Sequence, residues 1–170
     1  PHFGEAWPRL RTLLEHPPLL VIDAANVVGS RPNGWWKDRP GAARRLLASL
    51  RAALEPGLPA DLLAVPAGTV WPRTVVVLEG AAKDAAAEGP HEYDGGAGQA
   101  AAAHGRRVQL EVVHAARSGD DEIVAQVEKA FGADPEAPVT VVTSDRGLRG
   151  RVEDLGARAI GSGTLLDLLG

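Results

Sequence analysis

Apolar runs that do not alternate with polar residues recur along the chain, and several of them close on an acid. Leu19-Leu20-Val21-Ile22 stops at Asp23, and Thr74-Val75-Val76-Val77-Leu78 stops at Glu79. Val139-Thr140-Val141-Val142-Thr143-Ser144 stops at Asp145. Such a run reads as a strand buried on both faces, the kind found in the middle of a parallel sheet. Val108 to His114 and Ala157 to Ile160 supply two further strands. Between them the pattern changes to helical spacing. Leu46, Leu47, Leu50 and Leu54 predict a helix over Ala42 to Glu55, ended by Pro56-Gly57. Ile123, Val124, Val127 and Phe131 mark one apolar face of a helix opened by Ser118-Gly119-Asp120-Asp121-Glu122. Arg146 to Leu155 and Thr164 to Leu169 complete the set, the last with Ser162 or Thr164 as its expected cap.

Alternating strands and helices imply βαβ units, a parallel sheet and right-handed crossovers. Every strand then points the same way, and ligands bind outside the carboxyl ends of the strands. Asp23, Glu79 and Asp145 therefore fall on one rim of the sheet. Asp120 and Asp121 open a helix that follows a strand, so they belong to the same rim. Each acid also has an ordinary reading: Asp23 as a turn or cap residue, Ser118-x-x-Asp121 as a capping box, Asp145 as a cap for its own helix. The repetition is what those readings leave unexplained. Clustered carboxylates must take up a proton or hold a cation. Oxygen ligands, with no cysteine in the chain, favour Mg²⁺ or Mn²⁺ over zinc. Such ions suit hydrolysis of phosphodiesters.

The remaining segments qualify this picture. Ala6 to Glu15 predicts a short helix within an N-terminal extension over residues 1–18. Gly29 to Gly41 predicts a loop beside Asp23. It carries Arg31, Lys37 and Arg39 with Trp35 and Trp36 between them, a mixture that suits phosphates and stacked bases or else a hydrophobic plug among solvated charges. Residues 81–105, rich in alanine and glycine, predict a flexible loop with a short helix before Gly105. His91, Glu92 and Asp94 there resemble ligands by type only.

At 170 residues the chain is expected to form one domain over 1–170. The formal net charge of -4 restricts any nucleic-acid contact to a local basic surface. No apolar run is long enough to span a bilayer, and none has the pattern of a secretory signal, so a cytoplasmic protein is expected. No glycine-rich phosphate loop or dinucleotide fingerprint follows the first strand.

Ile22-Asp23-Ala24-Ala25-Asn26, Gly119-Asp120-Asp121-Glu122-Ile123 and Thr143-Ser144-Asp145-Arg146-Gly147-Leu148-Arg149 together resemble the NYN branch of the PIN-like nucleases. The resemblance runs from about Leu19 to Leu169. It implies a three-layer α/β fold with a parallel sheet of about five strands in the order 3-2-1-4-5. It also implies metal-dependent ribonuclease activity, with Asp23, Asp121 and Asp145 as catalytic metal-binding acids. Asp120 and Glu79 would complete the metal site. Asn26, Ser144, Arg146 and Arg149, together with Lys37 and Arg39, would face the substrate. RNA is the expected partner and Mg²⁺ or Mn²⁺ the expected cofactor; self-association into a homodimer stays open. Two other functions compete: an RNA- or protein-binding module that cleaves little, and a phosphohydrolase of small nucleotides.

Overall fold

The computed structural model describes residues 15–66, 68–93 and 108–170. Its strands are β1 (Leu19–Asp23), β2 (Leu58–Pro59), β3 (Thr69–Val70), β4 (Arg73–Leu78), β5 (Gly89–Tyr93), β6 (Val108–His114), β7 (Val139–Val142) and β8 (Arg158–Ile160). The α-helices are α1 (Ala24–Gly29), α2 (Arg39–Leu54), α3 (Gly119–Ala133), α4 (Arg146–Asp154) and α5 (Ser162–Leu169). The central sheet has the order β5-β6-β4-β1-β7-β8, and β2 and β3 form a separate small ladder. From β6 through β8 all neighbours are parallel. Taken in chain order, these parallel strands stand 3-2-1-4-5, the order the resemblance implies, but the sheet is mixed, with β5 as a sixth, antiparallel strand at its edge.

Burial explains the unalternating runs. Every residue of β1 is buried, but its side chains serve two cores. Leu20 and Ile22 join α1, α2 and α5 on one face. Leu19 and Val21 join α3 and α4 on the other. The result is a three-layer α/β arrangement with β1 at its heart. A fully buried leucine or valine is worth about 1.5–3 kcal/mol. With both faces committed, a slip of one residue would exchange every side chain between layers. That lock fixes where the strand ends, and so fixes Asp23 opposite Val77 at the carboxyl rim.

Several expectations need correction. Residues 81–93 are not a loop: a 3-10 turn over Gly80–Ala85 leads into β5, antiparallel to β6. Gly89-Pro90 reads as a loop signal in sequence, yet proline is tolerated on an edge strand, where its missing N–H faces away from the ladder. His114 holds this segment in place, its backbone N–H donating to Glu88 Oε1 and its Nε2 lying 2.9 Å from the Ala86 carbonyl. The expected helix before Gly105, and Asp94, lie outside the described residues, as does nearly all of the expected N-terminal helix. Gly29 to Gly41 is also more regular than a loop. It contains a 3-10 turn over Trp35–Lys37, and α2 begins at Arg39 because Asp38 caps it through Gly41 N–H at 2.9 Å. Finally, α5 has no side-chain cap; Ser162 is its first residue, and its hydroxyl is used elsewhere.

Candidate active site

Asp23 is both the last residue of β1 and the N-cap of α1. Asn26 lies in the first turn of that helix. Its backbone N–H donates to Asp23 Oδ1 at 3.2 Å. The second carboxylate oxygen accepts the Thr143 hydroxyl at 2.9 Å. That same hydroxyl oxygen accepts the Asp145 N–H at 3.2 Å, so one buried threonine holds two acids from neighbouring strands. Asp145 in turn caps α4 through Leu148 N–H at 2.8 Å. Capping and site membership are thus compatible, since a carboxylate that accepts one N–H keeps lone pairs for another partner.

The side chain of Asn26 bridges the ends of β1 and β7 to α5. Its Oδ1 accepts the Ser144 N–H at 2.8 Å and the Ser162 hydroxyl at 2.6 Å. Ser144 Oγ accepts the Ser162 N–H at 2.9 Å. Asn26 and Ser144, expected to face substrate, therefore spend these groups on joining three elements at the rim. Arg149 likewise turns inward, its guanidinium donating to the Ala159 carbonyl at 3.4 Å.

On the other side of β1, Glu79 Oε2 accepts the Gly119 N–H at 2.6 Å. A Cβ at Gly119 would sit 2.8 Å from the same oxygen, so the glycine lets the Glu79 carboxylate take this position. Glu79 thereby ties the end of β4 to the start of α3. Ser118 caps that helix through Asp121 N–H at 3.2 Å, as the capping-box pattern predicts. The two adjacent aspartates then diverge. Asp121 is exposed and pairs with Arg151 at 3.0 Å. Asp120 is half-buried and feels Asp145 and Glu79. The sequence leaves open which of the pair points inward; consecutive helical residues differ by about 100° in direction, and Asp120 shares the face of buried Ile123 and Val127.

Electrostatics agree with the geometry. Burial raises the Asp23 carboxyl above the ordinary carboxylate range. Hydrogen bonds from Asn26 and Thr143 oppose that rise, and the negative charges of Asp120 and Glu79 add to it. Asp120 is raised as well, first by burial, then by Asp145 and Glu79, with Arg151 opposing. The acids are close enough to repel one another, and Arg151 is the positive charge felt by Asp120. Arg146, next to Asp145 in the chain, and Lys37 are exposed, and Arg39 lies over the Trp35 ring at 5.5 Å.

Among the described residues, no three histidine or acidic side chains form a ready-made metal pocket. The donor set nevertheless fits a hard divalent ion. It is made only of carboxylate oxygens with mutual repulsion to relieve, and Mg²⁺ takes one or two carboxylates and fills its other positions with water and phosphate. The sequence reading passed over Arg117, which follows β6 and projects at this rim beside Glu79. Its place just beyond a strand end was the available signal.

The layered fold is shared with a solved structure of Rae1 (YacP) from Bacillus subtilis, a point mutant. The match has a TM-score of 0.55, covers 89% of this chain and 74% of that one, and carries 15% sequence identity. Identity at that level speaks to the fold alone. No family model matches the sequence, and no curated protein matches it. No helix of the described residues is long and apolar enough to cross a membrane.

Proposed function

We propose that the chain is a metal-dependent ribonuclease that hydrolyses phosphodiester bonds of RNA at the rim formed by Asp23, Asp120, Asp145 and Glu79, in a cytoplasmic setting. One observation carries the reading: a buried aspartate with a raised pKa, held between two hydrogen-bond donors, is surrounded by other acids rather than by a cation. The motif resemblance to the NYN nucleases and the shared fold support it. Asp23, Asp145 and Asp120 would hold Mg²⁺ or Mn²⁺, with Glu79 at the margin and Asp121 outside, paired to Arg151. When bound, such an ion neutralises the acids and supplies Lewis acidity towards phosphate oxygens. The chain's own part is positioning. Thr143 sets the spacing of Asp23 and Asp145; Asn26 fixes the loop after β7; Arg146 and the basic residues of the tryptophan segment offer charge to the RNA backbone.

A second reading, an RNA-binding module that cleaves little, draws on the two acids already engaged within the protein: Glu79 by Gly119 and Asp121 by Arg151. One experiment separates the two. The protein is incubated with single-stranded and structured RNA in Mn²⁺, Mg²⁺ or EDTA. Cleavage that needs the ion and disappears in an Asp23→Asn, Asp145→Asn double variant supports hydrolysis. Equal cleavage by wild type and variant rejects it, and RNA binding without cleavage selects the second reading.

A further inference from the structure

A cleft of about 330 Å³ opens beside the acids, between α1, the tryptophan segment, α2 and the end of β4. It lies at the small end of the range for ligand pockets, about 300–1,000 Å³, which suits one ring system and not a folded surface. It is lined by small side chains: Ala24 and Ala25 of α1, Ala43 of α2 and Ala82 of the turn after β4. Trp35 forms one wall. This ring is half-buried, lies next to Gly29, where an added Cβ would meet it at 3.7 Å, and is set edge-to-face with Trp36 at 6.0 Å and 87°. Arg39 stands over Trp35, and Arg117 reaches the same cleft from the end of β6. Arg117 is exposed and has no carboxylate partner among the described residues. Glu79 closes the end of the cleft nearest the acids.

A cleft with small apolar side chains, an indole wall and two guanidinium groups has the chemistry of a base-stacking site with charge for the adjoining phosphates. The geometry points to a docking subsite for one unstacked nucleobase of single-stranded RNA, with Arg39 and Arg117 on the flanking phosphates. The inference rests on the ribonuclease reading for its choice of RNA, and it adds a selectivity to that reading: a paired base cannot enter, so the strand must be open next to the cut.

The test is equilibrium binding of the full chain in EDTA, so that nothing is cut, followed by tryptophan fluorescence and by anisotropy of a labelled strand. The probes are a short single-stranded RNA, the same strand in a duplex, and a nucleoside monophosphate. Ala25→Leu fills the cleft from an exposed position of α1, and Arg117→Ala removes one charge; far-UV circular dichroism checks that both variants fold. The single strand is expected to bind tighter than the duplex, and each variant to weaken it about tenfold or more, with the duplex unaffected by Ala25→Leu. Unchanged affinity for the single strand in both folded variants overturns the subsite. Equal wild-type affinity for the monophosphate and the strand assigns the base to a free nucleotide and overturns the RNA assignment. Failure of the wider reading looks different: strand binding that the variants abolish, with no metal-dependent cleavage by wild type, keeps the subsite and removes the ribonuclease.

Discussion

Aspartates at opposite rims of the same sheet are treated in opposite ways. At the amino rim, Asp134 accepts a hydrogen bond from His16 at 2.7 Å, and Glu136 flanks the same ring at 3.1 Å. The Asp134 carboxyl is lowered, chiefly by that hydrogen bond, and His16 is raised, chiefly by the same contact. At the carboxyl rim, Asp23 and Asp120 are raised by burial and by neighbouring negative charges. The first rim has its charges matched and solvated. The second gathers like charges in partial burial, which lowers stability unless something else uses them. Functional sites are where such an arrangement is tolerated.

The contrast can be broken most forcefully by substitution. Asp23→Asn keeps the shape of the cap and is expected to lower metal-dependent RNA cleavage by more than about 100-fold, since even outer-shell partners of metal ligands cost about 10–100-fold. Asp134→Asn at the other rim should leave the cleavage rate near that of wild type. A loss of similar size in both variants would mean that the rims do not differ in function.

Thr143→Val comes next. It removes the hydroxyl shared by Asp23 and Asp145 while keeping side-chain volume, and it strands a buried carboxylate oxygen. Activity is expected to fall about 10–100-fold, and stability by about 1–3 kcal/mol in a denaturant titration. Rescue by Thr143→Ser, which restores the hydroxyl, would show that the hydroxyl itself and not general packing is responsible.

A smaller effect appears in metal-free stability against pH. Because the folded pKa of Asp23 is raised, its contribution is most favourable below the unfolded-state value, about 3.9. It is lost as pH rises through the folded value and stays lost above it. Asp23→Asn cannot ionise, so its stability relative to wild type should increase across that window and then level off. Thermal melts in EDTA at a series of pH values give the measurement; a flat difference would contradict the burial-driven shift.

The smallest effect belongs to the amino rim. His16 contributes below its unfolded value, about 6.5, and loses its effect as pH rises through its raised folded value. Asp134 contributes above about 3.9 and loses its effect as pH falls through its lowered value. Both act together between those reference values. His16→Ala should remove a shallow stability maximum in that range, and added salt should flatten it in wild type. Comparing melts of His16→Ala with wild type across that range checks this.

Much of the site was legible before any coordinates. Strand ends can be read from where apolar runs stop, and parallel topology turns strand ends into a common rim; hence Asp23, Glu79 and Asp145 were found together. The Thr143 bridge was not legible, because Thr143 and Asp23 lie 120 residues apart in the chain and a threonine inside an apolar run reads as a β-former. Nor was the internal use of Asn26, Ser144 and Arg149, whose partners come from α5 and β8.

What the sequence alone determined is the buried, two-faced strand β1 and the charge that ends it, since only hydrophobic periodicity and its interruption are involved. Tertiary structure decided which acid of the Asp120-Asp121 pair turns inward, because that depends on how α3 is rotated about its own axis against the sheet. It decided that Gly89-Pro90 opens a strand, because an edge position forgives the missing donor. It also brought Trp35, Arg39 and Arg117 around one cleft. Residues on separate elements meet only after layers pack, and packing is a property of the whole core rather than of any one stretch of chain.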